Sequence, residues 1–430
     1  MLTLLNKVKE YKDVNLRFHT PSHSFSLDEE LYSNAKYDVT ELSFSDNLLY
    51  PKGVIRELEF ELEKIYKTTR TLCITAGATT GNFIGLNVLK NYGKVLVTSN
   101  CHKSIYSACR LFDIDAVYME DVYYDNGLPR PVIYEDISKY LTSDIKSVVL
   151  TSPTYFGDTV ITDLVKKLQD KGLFVMVDEA HGGHFAYSKL LPTSLSNIAD
   201  IVVDSVHKTL PVYTGGALIH INNSNLVAES ELYHSLLHTS SPSYVTMCSI
   251  DYSQDLFSRK GEELYSQLYK VVKDIKLDRF KVVNTDDFSR LVIDTYPYNG
   301  DDIQNILEEQ GVFVEMSYKH YIVMILSPLN LTNVKIAVYI INSLNLEKIS
   351  LYKENTAPHS MATNVTGVRE LVGIRDSINR VSGSEVGIYP PGVPVIKTGD
   401  IITTEQVEYL LKNKSKLFGL VDNKIFVIKE

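Results

Sequence analysis

LFVMVDEAHGGH (residues 173–184) runs from five apolar residues straight into a carboxylate, Asp178. The apolar part shows no polar alternation, which suits a strand buried on both faces, and it is too short for a buried helix. An acid at the end of such a strand either finds a cation or hydrogen-bond donors, or it caps the next helix. Six other runs have the same character: LCIT (72–75), KVLVTS (94–99), DAVYM (115–119), SVVLTS (147–152), DIVVDS (200–205) and GALIHI (216–221). Longer segments of helical character separate them. Alternation of strand and helix predicts an α/β fold with a mostly parallel, doubly wound sheet.

Outward from this core, residues 1–60 read as an N-terminal arm and a helix, with GVIRELEFELEKIYK (53–67) carrying helical spacing of apolar residues. Residues 61–280 form the predicted major domain, its last part a helical stretch reaching about residue 276. Then come RLVID (290–294), DDIQNILEEQ (301–310), FVEMS (313–317), YIVMIL (321–326) and a helix over 333–344, a smaller α+β domain spanning 281–352. Residues 353–430 read as a linker (353–364) and a cap segment with a turn-rich loop, IYPPGVPVIKTGD (388–400).

The bulk chemistry narrows the partners. The 430 residues are 44% hydrophobic with a net charge of -10, which supports a large core and argues against nucleic acid or an anionic membrane as partner. Cys73, Cys101, Cys109 and Cys248 form no CxxC pair and are expected to be buried free thiols. The first residues lack a signal-peptide core, and no run of about 18 apolar residues occurs, so the expected location is the cytoplasm.

The chemistry-bearing residues gather where the strands end: AGATTGN (76–82), SNCHKS (99–104), TSPTYFGD (151–158), DEAHGGH (178–184) and DSVHKT (204–209). In an open α/β sheet, ligands bind outside the carboxyl ends of the strands. GATTGN reads either as an ordinary strand-to-helix turn or as a phosphate cradle of N–H groups at a helix N-terminus, to which Thr79 and Thr80 add hydroxyls. It matches neither GxGxxG nor GK[ST]. Asp178, His181 and His184 lack a helical metal-binding spacing, so no metal is expected. His102 reads as a structural histidine or as a ring stacked on a ligand. Lys208 is either a surface lysine or the amine that bonds a carbonyl cofactor. A lysine, an acid and a phosphate cup together meet the needs of pyridoxal phosphate, with Ser205 and His207 beside Lys208 as further phosphate ligands.

With these motifs in view, the chain resembles the bacterial ornithine/lysine/arginine decarboxylases, pyridoxal-phosphate enzymes with the aspartate aminotransferase-like fold, in a short form without an N-terminal wing domain. GATTGN, NCHKS, TSPTYFG, VDEAHGGHF, DSVHKTLP, TSSPSY (239–244) and IYPPGVPVIKTGD carry the resemblance, together with DVTEL (38–42) and SDNLLYPKGVI in the arm. It implies a pyridoxal-phosphate-dependent transferase-like major domain and decarboxylation of arginine, lysine or ornithine to the amine and carbon dioxide. It implies Lys208 as the Schiff-base lysine, Asp178 as partner of the pyridine nitrogen, His102 stacked on the ring and His181 beside it. It also implies Ala78 (by its N–H), Thr79, Ser205 and His207 around the phosphate. Glu315, Asp400, Glu385 and Asp46 are the candidates for the distal cation of the substrate. A homo-oligomer, dimer or larger, is implied, with TSSPSY reaching the neighbouring cofactor. The chain departs from the family pattern at PSHSFS (21–26), at Ala78, at Thr214-Gly215-Gly216 and at Thr398-Gly399-Asp400. Two other readings remain open: a different pyridoxal-phosphate reaction, such as an aminotransferase or lyase, and a non-catalytic homologue that binds the cofactor.

Overall fold

A computed structural model of the chain describes residues 2–11, 21, 30, 33–347, 349–353, 365, 367–388, 393–413 and 416–429. Residues 22–26 of PSHSFS, 354–364 of the expected linker and 389–392 of the tail loop lie outside the described residues. All seven apolar runs form strands: β1 (Arg70–Ile74), β2 (Lys94–Val97), β3 (Ala116–Tyr118), β4 (Ile145–Thr151), β5 (Phe174–Asp178), β6 (Ile201–Asp204) and β7 (Ala217–Ile221). β2 runs parallel to β3 and β4, and β5 runs parallel to β6. The fold is therefore mixed α/β with a mostly parallel main sheet. β7 departs from this, lying antiparallel to both β6 and β1. The connection from β6 holds only the 3-10 turn Val206–Lys208, not the crossover helix that a parallel return requires.

The chain divides into two compact units, Met1–Tyr92 with Ile161–Glu263, and Gly93–Val160 with Leu264–Glu430. In the first, the strand order is β1-β7-β6-β5. Asp178 of β5 is level with Val203 of β6, and because side chains alternate along a strand, Met176, Asp178, Ile201 and Val203 share one face. The helix Ala78–Lys90 lies on that face. It approaches closely because it presents glycines: a Cβ at Gly81 would stand 2.6 Å from Val203 Cγ1, and one at Gly85 would stand 2.8 Å from Met176 Sδ. The helix Val54–Tyr66 covers the opposite face. Its buried Ile55, Leu58, Leu62 and Tyr66 follow helical spacing, and it ends where Lys67 turns left-handed at φ 57°. Arg70 at the head of β1 ties it down, with Nη1 2.7 Å from Glu59 and 3.1 Å from Glu63.

In the second unit the main-sheet order is β4-β2-β3. An antiparallel sheet follows, made of β8 (Lys281–Val283), β9 (Arg290–Asp294), β10 (Met316–Tyr318) and β11 (Tyr321–Ile325) in the order β10-β11-β9-β8. FVEMS was expected as a strand from residue 313, but pairing begins only at Met316. The last segment builds β12 (Arg369–Gly373), β13 (Val386–Ile388), β14 (Val393–Ile396), β15 (Leu417–Phe418) and β16 (Lys424–Ile428) around a core that includes Val386, Ile396, Val407 and Ile425. The four cysteines are buried and free. Among the described residues no helix is long and apolar enough to cross a membrane.

The glycine contacts make a prediction whose sign is not obvious. Alanine in place of a mid-helix glycine gains about 1 kcal/mol of helix propensity, whereas overpacking a tight contact costs about 1–3 kcal/mol. At 2.6 Å from Val203 the clash wins. Gly81→Ala should lower stability by about 1–2 kcal/mol in urea unfolding. A gain in stability would mean that helix and sheet do not approach so closely.

Candidate active site

The first unit brings together most of the predicted residues. β5 delivers Asp178, 3% exposed, at its carboxyl end. Asn82 donates through Nδ2 to Asp178 Oδ2 at 3.0 Å, and the Ala180 N–H donates to Oδ1 at 3.2 Å. Asn82 comes one turn after Ala78, on the helix face that Gly81 and Gly85 press to the sheet. The carboxylate is therefore fixed in orientation from two sides. Lys208 closes the 3-10 turn after β6, half-buried, with Nζ 3.1 Å from Nε2 of the buried His181. An ammonium group has only donors, so in that state His181 Nε2 is the acceptor and the neutral ring carries its proton on Nδ1.

The GATTGN turn is a true helix start. Gly77 opens the helix Ala78–Lys90 at φ 80°, a conformation that suits glycine. The first N–H groups of an α-helix lack intrahelical acceptors, so those of Ala78 and Thr79 are available to an anion. Thr79 is exposed, and the Thr80 hydroxyl donates back to Ala76 O at 3.3 Å. The Gly77 N–H donates to Gly215 O at 2.8 Å, and the Gly215 N–H donates to His207 Nδ1 at 3.2 Å. These two bonds tie the helix start to the lysine turn. Burial lowers the pKa of His207, opposed by its contact with Gly216 O and helped by the Lys208 charge. Ser205 is buried at the head of the same turn.

His102 lies in the second unit, at the N-cap of the helix Lys103–Leu111, and its Nδ1 accepts from the Ser104 N–H at 3.2 Å. That bond calls for an unprotonated Nδ1, which places the proton of the neutral ring on Nε2.

The four carboxylates named for the substrate sit differently. In the first unit, Asp46 accepts N–H bonds from Lys52, Gly53 and Ile55 at 2.7–3.2 Å. Burial opposes its charge, but those backbone bonds outweigh it and hold the carboxyl below its usual range. In the second unit, Asp400 accepts the Lys397 N–H at 2.8 Å. Glu385 accepts the Thr398 hydroxyl and has Arg110 3.7 Å away. Glu315 is exposed.

Several neighbours of the site have contacts that the sequence alone does not signal. Asn82 was visible within GATTGN but was not assigned as the partner of Asp178. His238 accepts the Thr75 N–H through Nε2 at 3.0 Å just past β1, and the Ser243 N–H of TSSPSY reaches Thr75 Oγ1 at 3.3 Å. Asp204 and His220 form a buried pair at 3.1 Å. The one signal for His220 was a polar residue inside the otherwise apolar run GALIHI.

The donor set suits pyridoxal phosphate: an amine on a short turn, a buried and oriented carboxylate, and a helix start opened by a glycine and tied to the lysine turn. Comparisons agree. Residues 32–296 match the model of the Orn/Lys/Arg decarboxylase major domain, and residues 347–417 match that of the C-terminal domain. The uncharacterized protein YaaO of Bacillus subtilis is 30% identical, with 91% of this chain and 90% of that protein covered. An arginine decarboxylase of the same organism is 25% identical over 93% of this chain and 90% of its own length. The lysine decarboxylase of Francisella novicida superposes with a TM-score of 0.77 at 18% identity, covering 99% of this chain and 81% of that one. The constitutive lysine decarboxylase of E. coli gives 0.78 at 15% identity, covering 100% and 82%. A match over most of the chain, on top of this arrangement of lysine, acid and helix start, places the protein in the Orn/Lys/Arg decarboxylase family of amino acid decarboxylases, whose cofactor is pyridoxal phosphate.

Proposed function

We propose that the protein decarboxylates a basic amino acid, arginine, lysine or ornithine, to the corresponding amine and carbon dioxide. The observation that carries this reading is the pairing, within one unit, of an oriented Asp178 carboxylate with a Lys208 amine that touches His181. The family match and the arginine and lysine decarboxylases among the relatives support the substrate class.

In this reading Lys208 would hold the cofactor through its aldehyde, Asp178 would serve its ring nitrogen, the helix start at Ala78 and Thr79, with Ser205 and His207, would serve its phosphate, and His102 and His181 would serve its ring. Bound there, the cofactor supplies an electron sink for the pair released when the substrate carboxylate leaves as carbon dioxide. The chain's own groups do the rest. His181 Nε2 takes a proton from Lys208 Nζ and frees the amine as a nucleophile. Asn82 and the Ala180 N–H keep the Asp178 carboxylate aimed, so that it would accept from the ring nitrogen of the bound cofactor. A proton from Lys208 or His181 replaces carbon dioxide on the α-carbon, which balances the reaction. The distal cation of the substrate falls to one of the four carboxylates. Glu315, the exposed one of the four, is the first to test. The same reading carries a homo-oligomer of at least two chains in the cytoplasm.

Two experiments check this. Borohydride treatment of the cofactor-loaded protein should leave a pyridoxyl mass on the Lys208 peptide, and incubation with arginine, lysine and ornithine should release carbon dioxide and one amine. Protein that never colours with added cofactor would end the proposal. Keto acid formation would point to an aminotransferase, and cofactor bound without turnover to a non-catalytic homologue. Separately, Asn82→Leu removes a hydrogen bond to a buried charge, worth about 1.5–3 kcal/mol. About half of that should appear as cofactor affinity weakened roughly tenfold in a fluorescence titration.

A further inference from the structure

On the far face of the main sheet, directly behind the site, a second acid is buried. Asp204 ends β6 next to Val203, the residue level with Asp178, so its side chain projects to the opposite face. It is 0% exposed. Oδ2 lies 3.1 Å from His220 Nε2, and Oδ1 has no hydrogen-bond partner among the described residues. His220, in β7, is also fully buried. Its Nδ1 lies 2.8 Å from Thr71 Oγ1, which lies 2.7 Å from the hydroxyl of half-buried Thr68.

The titratable groups around this pair can be named by element. Asp178 is across the sheet on β5, and Glu179 follows it, accepting from the Ser194 hydroxyl and the Leu195 N–H. Tyr66, from the helix Val54–Tyr66, lies with its ring 4.5 Å from His220 and donates to Gly183 O at 2.7 Å. Tyr187 packs edge-on to Tyr66 at 5.9 Å. None of these is a cation. An ionised Asp204 would face three neutral rings and two acids, with one hydrogen bond and one bare oxygen.

A neutral Asp204 satisfies the chain instead. Its O–H donates to His220 Nε2, the Nδ1–H donates to Thr71 Oγ1, and the Thr71 hydroxyl donates to Thr68 Oγ1. We propose that Asp204 and His220 are positioning residues for the Lys208 turn: a neutral acid–imidazole pair that anchors the end of β6 from the far face without placing a second negative charge behind Asp178. Burial, and then the nearby Asp178, push the Asp204 carboxyl well up, and burial pushes His220 down to about 3, in agreement with the arrangement. The consequence for catalysis rests on the reading of Asp178 as the acid that faces the cofactor nitrogen; the pair itself does not.

The test is made on the protein without cofactor, so it stands apart from that reading. A group protonated when folded and ionised when unfolded contributes stability at low pH that is lost as pH rises toward the folded value. Asn mimics the protonated acid and does not titrate. Between about pH 5 and 7 the unfolding equilibrium constant of wild type, relative to that of Asp204→Asn, should therefore rise about tenfold per pH unit. A ratio that stays flat would mean that Asp204 is ionised in the fold and would overturn the proposal. If Asp204→Asn fails to fold, infrared spectroscopy of wild type with carboxyl-labelled Asp decides: a protonated-carboxyl stretch that persists at pH 7 supports the pair, and its absence refutes it. In cofactor-loaded Asp204→Asn, the midpoint of the pH titration of the visible band should match wild type. A displacement of about one unit would show that a charge had been removed. Failure of cofactor to bond Lys208 would sink the proposed function and leave the unfolding ratio unaffected.

Discussion

The close approach of one helix to two strands sets the geometry of the first unit. The helix Ala78–Lys90 meets β5 and β6 through Gly81 and Gly85, where a methyl group would already collide with Val203 or Met176. Asn82, adjacent to Gly81, reaches Asp178. The helix start with Ala78 and Thr79 lies in the same unit as the turn of Lys208. Gly77 and Gly215 then bond directly, and Gly215 bonds His207, which joins the start of the helix to the turn that carries the lysine. The helix start, Asp178 and the Lys208 turn are thus linked within one unit by this close packing and by the bonds of Asn82 and Gly77.

The second constraint is charge. Asp178, Glu179 and Asp204 are three acids in two neighbouring strand ends, all nearly without solvent. Burying three carboxylates in ionised form is prohibitive without cations, and an acid in that position keeps its proton unless donors hold the charge. Asp178 has an amide and an N–H and faces the helix whose start favours anions. Glu179 has a hydroxyl and an N–H, yet burial, followed by the neighbouring Asp204, still pushes its carboxyl well up. Asp204 has only a neutral imidazole. Of the three, Asp178 and Glu179 each have two fixed donors, and Asp204 has the fewest.

The sequence made the strands legible because each is buried on both faces and so lacks polar alternation. Lys208, Asp178 and the GATTGN turn were legible for a related reason: each lies within a few residues of a strand end, where a charged or glycine-rich stretch stands out against apolar neighbours. What escaped depended on register. Asp204 and His220 meet only because β7 runs antiparallel to β6, and strand direction is not written in an apolar run. Asn82 needed the helix to sit close to the sheet, which is a property of Gly81 and Gly85 together with Val203. The candidate substrate acids were named from position alone. Whether a carboxylate is open to a ligand or turned into its own backbone, as Asp46 is, depends on turn geometry that residue identity does not convey.

The altered tail can be argued in the same terms. Where the family has P-G-E, this chain has Thr398-Gly399-Asp400, preceded by Lys397. Asp400 closes the turn by accepting the Lys397 N–H, and Thr398 donates its hydroxyl to Glu385. Lys397 is fully buried, with its ammonium 3.6 Å from Asp121 and over the ring of Tyr106 at 5.4 Å. A buried ammonium is costly unless it has a carboxylate and further polar or aromatic contact, and here it has both. Within the second unit these contacts fit together: Asp121 and Tyr106 receive the charge of Lys397, and Asp400 closes the turn that presents it. The departure at Thr398-Gly399-Asp400 is thus satisfied locally, with each polar side chain of the turn engaged.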